Sequence, residues 1–155
     1  MLKIKYLLFI LLIVFFDQLT KWTMTQHLLL HESYTLLPLF NLTLLHNEGS
    51  AFSFLSDAGG WQRWFLMGVT IVVIAIMFAV FCRLTSKDRL QAMALSCTLG
   101  GAIGNLIDRI RYGYVVDFLD FHLHSWHWPV FNMADSFICL GAAFLFWDAL
   151  HSKAE

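Results

Sequence analysis

The sequence predicts an α-helical integral membrane protein, four transmembrane helices with a small outward-facing β-element. Three observations predict it. The 155-residue chain is 59% hydrophobic and only 14% charged, whereas a soluble domain holds about 45–50% apolar and about 25% charged residues. Four apolar stretches run from about Ile4 to Trp22, Trp64 to Leu84, Leu90 to Ile107 and Ala134 to Leu150, close to the roughly 20 residues that cross a bilayer. The basic residues fall unevenly on the two sides that these spans define.

The first stretch follows Lys3 and Lys5 and resembles a secretory leader in outline, but Phe15-Phe16-Asp17-Gln18 stands where a small-x-small cleavage site would be, so it reads as a retained helix. Asp17 and Lys21 are four apart and share a helix face, which permits an ion pair. The alternative is that they simply end the span, with Lys21 reaching up to the surface.

The segment Thr23 to Arg63 is long for a loop and so a functional candidate. Tyr34 to Leu37 and Phe40 to Leu45 read as short strands around Pro38, Asn47-Glu48-Gly49-Ser50 as a turn, and Ala51 to Leu55 as an alternating run. A β-element on the membrane surface is expected, with Trp61 and Trp64 at the interface leading into helix two. Gly49 and its neighbours are candidates for a lid over a site.

Arg83, Lys87 and Arg89 make the loop between helices two and three basic. With Lys3, Lys5 and Lys153 they outnumber Lys21, Arg63, Arg109 and Arg111 on the other side, so both termini are expected in the cytoplasm. In helix three Gly100, Gly101 and Gly104, with Ala94, allow close approach of another helix. Asn105, Asp108 and Arg109 follow at spacings of one helix face; Asp108 and Arg109 are expected to be architectural and Asn105 to face a substrate. The segment Asp108 to Met133 is again outward, with Trp126 and Trp128 at the interface. No repeat or linker divides the chain, and residues 1–155 are expected to form one membrane-embedded domain.

The chemistry lies in two aspartates at the edges of apolar segments. Asp117 sits in an apolar β-like run, and Asp135 at the first turn of helix four, three residues after a potential cap, Asn132. A carboxylate at a bilayer edge costs several kcal/mol unless paired or wet, so each is a functional candidate. Brought together, the two would share one proton and provide the acid and base of peptide hydrolysis. Asp120 competes with Asp117, and position alone does not separate them.

Other chemistries are weaker. No basic face suits nucleic acid. Cys82, Cys97 and Cys139 lie in apolar runs and read as inert core thiols rather than a disulfide framework or metal site. His122, His124 and His127 lack an acidic partner at ligand spacing and read as a surface cluster. Ser50, Ser53 and Ser136 have no evident base. A small channel would spread its charges along the bundle axis rather than gather them at one face; a non-catalytic scaffold would tolerate Asp117→Asn.

Five motifs occur in order: Asp17-Gln18-Leu19-Thr20-Lys21, Asn47-Glu48-Gly49-Ser50-Ala51-Phe52, Gly101 through Arg109, Val115-Val116-Asp117-Phe118 and Phe131-Asn132-Met133-Ala134-Asp135. Together, over essentially the whole chain, they resemble the bacterial lipoprotein signal peptidases (signal peptidase II). The resemblance implies an aspartic endopeptidase of the bacterial inner membrane. It would remove signal peptides from diacylglyceryl-modified prolipoproteins, cutting just before the lipidated cysteine. It implies Asp117 and Asp135 as catalytic residues, in preference to Asp120. Asn47, Gly49, Asn105, Asp108, Arg109 and Asn132 would bind substrate or support the site, and Asp17 and Lys21 would support the fold or the site. It implies neither metal nor organic cofactor; a monomer among membrane phospholipids is expected, and the charge bias turns the active site toward the outer face.

Overall fold

A computed structural model describes residues 2–49 and 61–151. Their element order is α1 (Leu2–His27), β1 (Ser33–Leu37), β2 (Phe40–Asn47), α2 (Trp61–Arg83), α3 (Arg89–Arg111), β3 (Val115–Leu123), β4 (Trp126–His127) and α4 (Met133–His151). All four helices are long and apolar enough to cross a membrane. The expected spans are therefore present, each extended at one or both ends. Hydropathy marks where the apolar stripe stops, but the backbone ladder continues into polar residues: α1 runs to His27, with Leu28 N donating to Met24 O, and α3 runs to Arg111.

Helix α3 is the centre, packed against α1, α2 and α4. Tyr6, Ile10, Phe81, Ala92, Leu95 and Leu99 form the core where α1, α2 and α3 meet. The outer faces of α1 and α2 carry exposed Leu8, Leu11, Phe15, Val72 and Ile76, as expected of surfaces that meet lipid. Of the three cysteines, all free, only Cys97 is buried; Cys82 and Cys139 lie on exposed faces, so the expectation of three core thiols holds for one.

Small residues set the helix spacing. A side chain at Gly101 would strike the Ala134 carbonyl of α4, one at Gly100 would come within 2.7 Å of Ile13 Cγ2 on α1, and one at Gly141 within 2.6 Å of Ala94 O. Gly104 has a different neighbour: a Cβ there would collide with the Asp17 carboxylate. Gly104→Val is therefore expected to cost about 1–3 kcal/mol or more through overpacking and to dislodge Asp17. Thermal unfolding in detergent checks it; an unchanged midpoint would contradict the contact.

The sheet is wholly antiparallel, in the order β1-β2-β3-β4. It is built from both inter-helix segments, not from the first alone as the sequence suggests, because β3 docks along β2 with Asn41 opposite Asp120, Leu45 opposite Asp117 and Asn47 opposite Val115. A register irregularity lies between Leu42 and Leu45. The turn expected at Asn47 starts as an Asx turn, Gly49 N donating to Asn47 Oδ1 at 3.0 Å. Ser50, the run Ala51 to Leu55, Ser53 and most of the expected lid lie outside the described residues. Because α1 and α3 end where α4 begins, the sheet and the polar ends of three helices meet at one end of the bundle.

Candidate active site

Helix α4 opens with a reciprocal cap. Asn132 precedes its first residue, and Asp135 N donates to Asn132 Oδ1 at 2.9 Å while Asn132 N donates to Asp135 Oδ2 at 3.3 Å. Local sequence thus fixes the Asp135 carboxylate at a helix amino end, where the backbone dipole favours negative charge. The cap also aims the other end of the Asn132 amide: Nδ2 donates to Asp117 Oδ1 at 2.6 Å and to Asn105 Oδ1 at 3.2 Å. One asparagine therefore touches both expected catalytic aspartates.

Asp117 comes from β3 and is only 3% exposed. Asn47, at the end of the neighbouring strand, donates to its Oδ2 at 3.0 Å. Burial first, and the nearby Asp135 second, push the Asp117 carboxyl up to about 7, against the donors Asn47 and Asn132. Asp120 is different. Strand alternation turns it to the other face of the sheet, where it accepts from Thr43 Oγ1 at 2.8 Å and Asn41 Nδ2 at 3.4 Å and meets His127 Nδ1 at 2.7 Å. Burial raises its carboxyl, but the bonds from His127, Thr43 and Asn41 outweigh that and hold it below the ordinary range. Its partners make Asp120 a fastener of β2, β3 and β4. This also corrects the histidine expectation: His127 has an acidic partner, Asp120, brought by the β3–β4 hairpin. Among the described residues no group of three or more His, Cys, Asp or Glu side chains is placed to hold a metal ion.

Beneath the aspartates lies a buried ionic cluster. Lys21 is 3% exposed and its Nζ lies 2.9 Å from Asp17 Oδ2, 2.8 Å from Asp108 Oδ2 and 2.8 Å from Asn105 Oδ1. The ion pair offered by the Asp17–Lys21 spacing is present, and the alternative of Lys21 reaching up to the surface is not. Asp17 also accepts Ala134 N at 2.9 Å, so α1 holds the first turn of the helix that bears Asp135. Asp108 accepts Gln18 Nε2 at 2.8 Å and Val116 N at 3.1 Å, which ties α3 to β3 one residue before Asp117.

Asn105 was expected to face a substrate. It is buried, and its Nδ2 donates to Asp135 Oδ1 at 2.8 Å. Asp108 and Arg109 take separate partners, because adjacent helix residues point apart; Arg109 Nη2 donates to Gly49 O at 3.2 Å, joining α3 to the turn after β2. Sequence reasoning gave no role to Gln18, whose amide also donates to Gly104 O at 3.2 Å. Its only signal was its place between Asp17 and Lys21, a polar residue in a span.

The arrangement presents two carboxyls that differ in burial, joined by a polar bridge and backed by a charge cluster. It suits proton transfer to and from a water and a peptide group. The family model described as signal peptidase (SPase) II matches residues 9–151. A lipoprotein signal peptidase of Yersinia enterocolitica serotype O:8 is 46% identical over 98% of this chain and 90% of its own length. One of Serratia proteamaculans is 40% identical over the same shares. Two bacterial membrane enzyme structures solved by the in meso method superpose on it, each 29% identical. The 2.3 Å structure has a TM-score of 0.87, covering 96% of this chain and 89% of the other; the 1.9 Å structure has 0.83, covering 95% and 93%.

Proposed function

The chain belongs to the signal peptidase II family, and on that premise we propose that Asp117 and Asp135 are the couple with which it cuts its substrate. It is a multi-pass membrane protease that removes signal peptides from prolipoproteins. The observation that carries the residue assignment is Asn132, which binds Asp117 through its side chain and Asp135 through its backbone N–H.

The substrate carries a diacylglyceryl group on the cysteine just after the scissile bond, and its acyl chains and apolar signal helix reach the site by diffusing within the bilayer. That apolar area supplies binding energy, so few polar contacts are needed for recognition. The enzyme works as a monomer in the bacterial inner membrane among phospholipids, as one domain, with both termini in the cytoplasm and the aspartates toward the outer face. Asn47, Gly49 and Arg109 shape the outer rim of the site; Asp17, Lys21 and Asp108 hold its floor.

The test is incubation of purified protein in detergent with a diacylglyceryl-modified prolipoprotein, following signal-peptide loss by gel shift. Cleavage just before the modified cysteine supports the reading, and an intact substrate with folded enzyme overturns it. A pH dependence follows. Asp117 keeps its proton below about 7, so the couple loses its shared proton, and the rate falls, as pH rises through that value. Asn47 favours the ionised form; Asn47→Ala is therefore expected to move this alkaline limb to higher pH. A limb that stays in place would contradict it.

A further inference from the structure

The aspartates are not equivalent, and the cluster beneath them is built to keep them so. We infer that Lys21, acting through Asn105, fixes Asp135 as the ionised base and leaves Asp117 as the proton carrier. This deepens the proposed function and rests on its assignment of Asp117 and Asp135 as the couple.

A lysine ammonium can only donate. Lying 2.8 Å from Asn105 Oδ1, Lys21 therefore sets the sense of that amide, and Nδ2 must point away, to Asp135 Oδ1 at 2.8 Å. Asn132 uses the second lone pair of Asn105 Oδ1. The amide cannot turn over without facing its NH₂ toward the ammonium and the Asn132 NH₂. Asp135 thus receives a donor polarised by a buried positive charge, beside a helix amino end. Asp117 receives two amides whose own oxygens accept Gly49 N and Asp135 N rather than a cation, feels Lys21 only as the smallest influence upon it, and is the more buried of the two. Its rise to about 7 agrees.

The charged groups around Asp135 are consistent with this. From α1, Asp17 takes the Ala134 N–H of the same helix turn, but Lys21 neutralises it. From α3, Asp108 is likewise paired with Lys21, while Arg109 adds a positive charge that is felt by Asp135 first and by Asp117 second. From β3 comes Asp117 itself, neutral while it keeps the proton.

The roles then follow. Water oxygen bonds to the scissile carbonyl carbon as one of its protons passes to Asp135, and Asp117 gives its proton to the carbonyl oxygen. On collapse the C–N bond breaks, the departing amine takes the proton from Asp135, and a diol hydroxyl returns one to Asp117. Both carboxyls end as they began. Lys21 and Asn105 are positioning residues here, because they act through Asp135.

The test is the pH profile of kcat and KM for Asn105→Ala and Asn105→Asp. Asn105→Ala removes the donor to Asp135 but leaves Lys21 with Asp17 and Asp108. Asn105→Asp keeps the volume and an acceptor for Lys21 while offering Asp135 no amide donor, which guards against a packing failure in the first variant. In whichever variant folds, kcat is expected to fall by about 100-fold with KM nearly unchanged, the size of a general-base contribution. The acidic limb of the profile is expected to move up by about one pH unit. A fall in kcat with the acidic limb unmoved in both variants would overturn the inference. Full cleavage by folded Asp135→Asn would instead remove the catalytic assignment itself, so the two failures are distinguishable.

Discussion

Asp135→Asn is expected to leave a folded protein that no longer cleaves. An amide nearly matches the carboxylate in shape, although its one oxygen can accept only one of the two donors that Asp135 takes, Asn105 Nδ2 at 2.8 Å or the Asn132 N–H at 3.3 Å. What it cannot do is take up a proton from water. General acid–base catalysis is worth about 10²–10⁴-fold, and loss of the base in a two-carboxyl site removes at least that. Thermal unfolding should shift by less than about 10 °C, since leaving one donor without its acceptor costs about 1–3 kcal/mol. Activity and stability measured on the same preparation check this. Loss of both together would point to a structural role.

Lys21→Met has the opposite signature, a loss of stability first. Lys21 is the shared partner of Asp17 and Asp108, whose side chains are 0% and 2% exposed. Methionine fills similar volume but leaves two carboxylates buried without a cation. Breaking a buried ion pair by removing one partner costs about 3–5 kcal/mol, a large part of the stability of a protein of this size. The variant is expected to melt far below the parent or fail to accumulate. Adding Asp17→Asn and Asp108→Asn should restore much of the stability, because the uncompensated charge is then gone. If Lys21→Met alone melts like the parent, the cluster is not the structural centre of this end of the bundle.

The helices were legible because a span must be apolar over a fixed length, and that constraint is written residue by residue. Their ends were not. At Thr23, Thr25 and Arg111 the helix continues by backbone bonding after the apolar stripe has stopped. The Asp17–Lys21 pair could be read from spacing four. Its second task could not, because Ala134 lies 117 positions from Asp17 and only the fold joins them. Gly104 read as a helix contact and proved to be the space that Asp17 fills. Asn105 and Asp108 were legible as a polar face, but not their division, one amide toward Asp135 and one carboxylate toward Lys21. Asn132 was legible as a cap, and its second contact, with Asp117, depends on β3 returning over α4. The choice between Asp117 and Asp120 needs the register of β3, with Asp117 turned to the cap of α4 and Asp120 to Thr43, Asn41 and His127.

The central claim, that Asp117 on β3 is chemical and Asp120 on the same strand is structural, is tested most directly by one paired measurement. Asp117→Asn and Asp120→Asn are purified in detergent, shown to be folded, and given a diacylglyceryl-modified prolipoprotein at one pH, beside the parent. The account predicts no signal-peptide release with Asp117→Asn and appreciable release with Asp120→Asn. Cleavage by Asp117→Asn, or its retention there and loss in a folded Asp120→Asn, would contradict it.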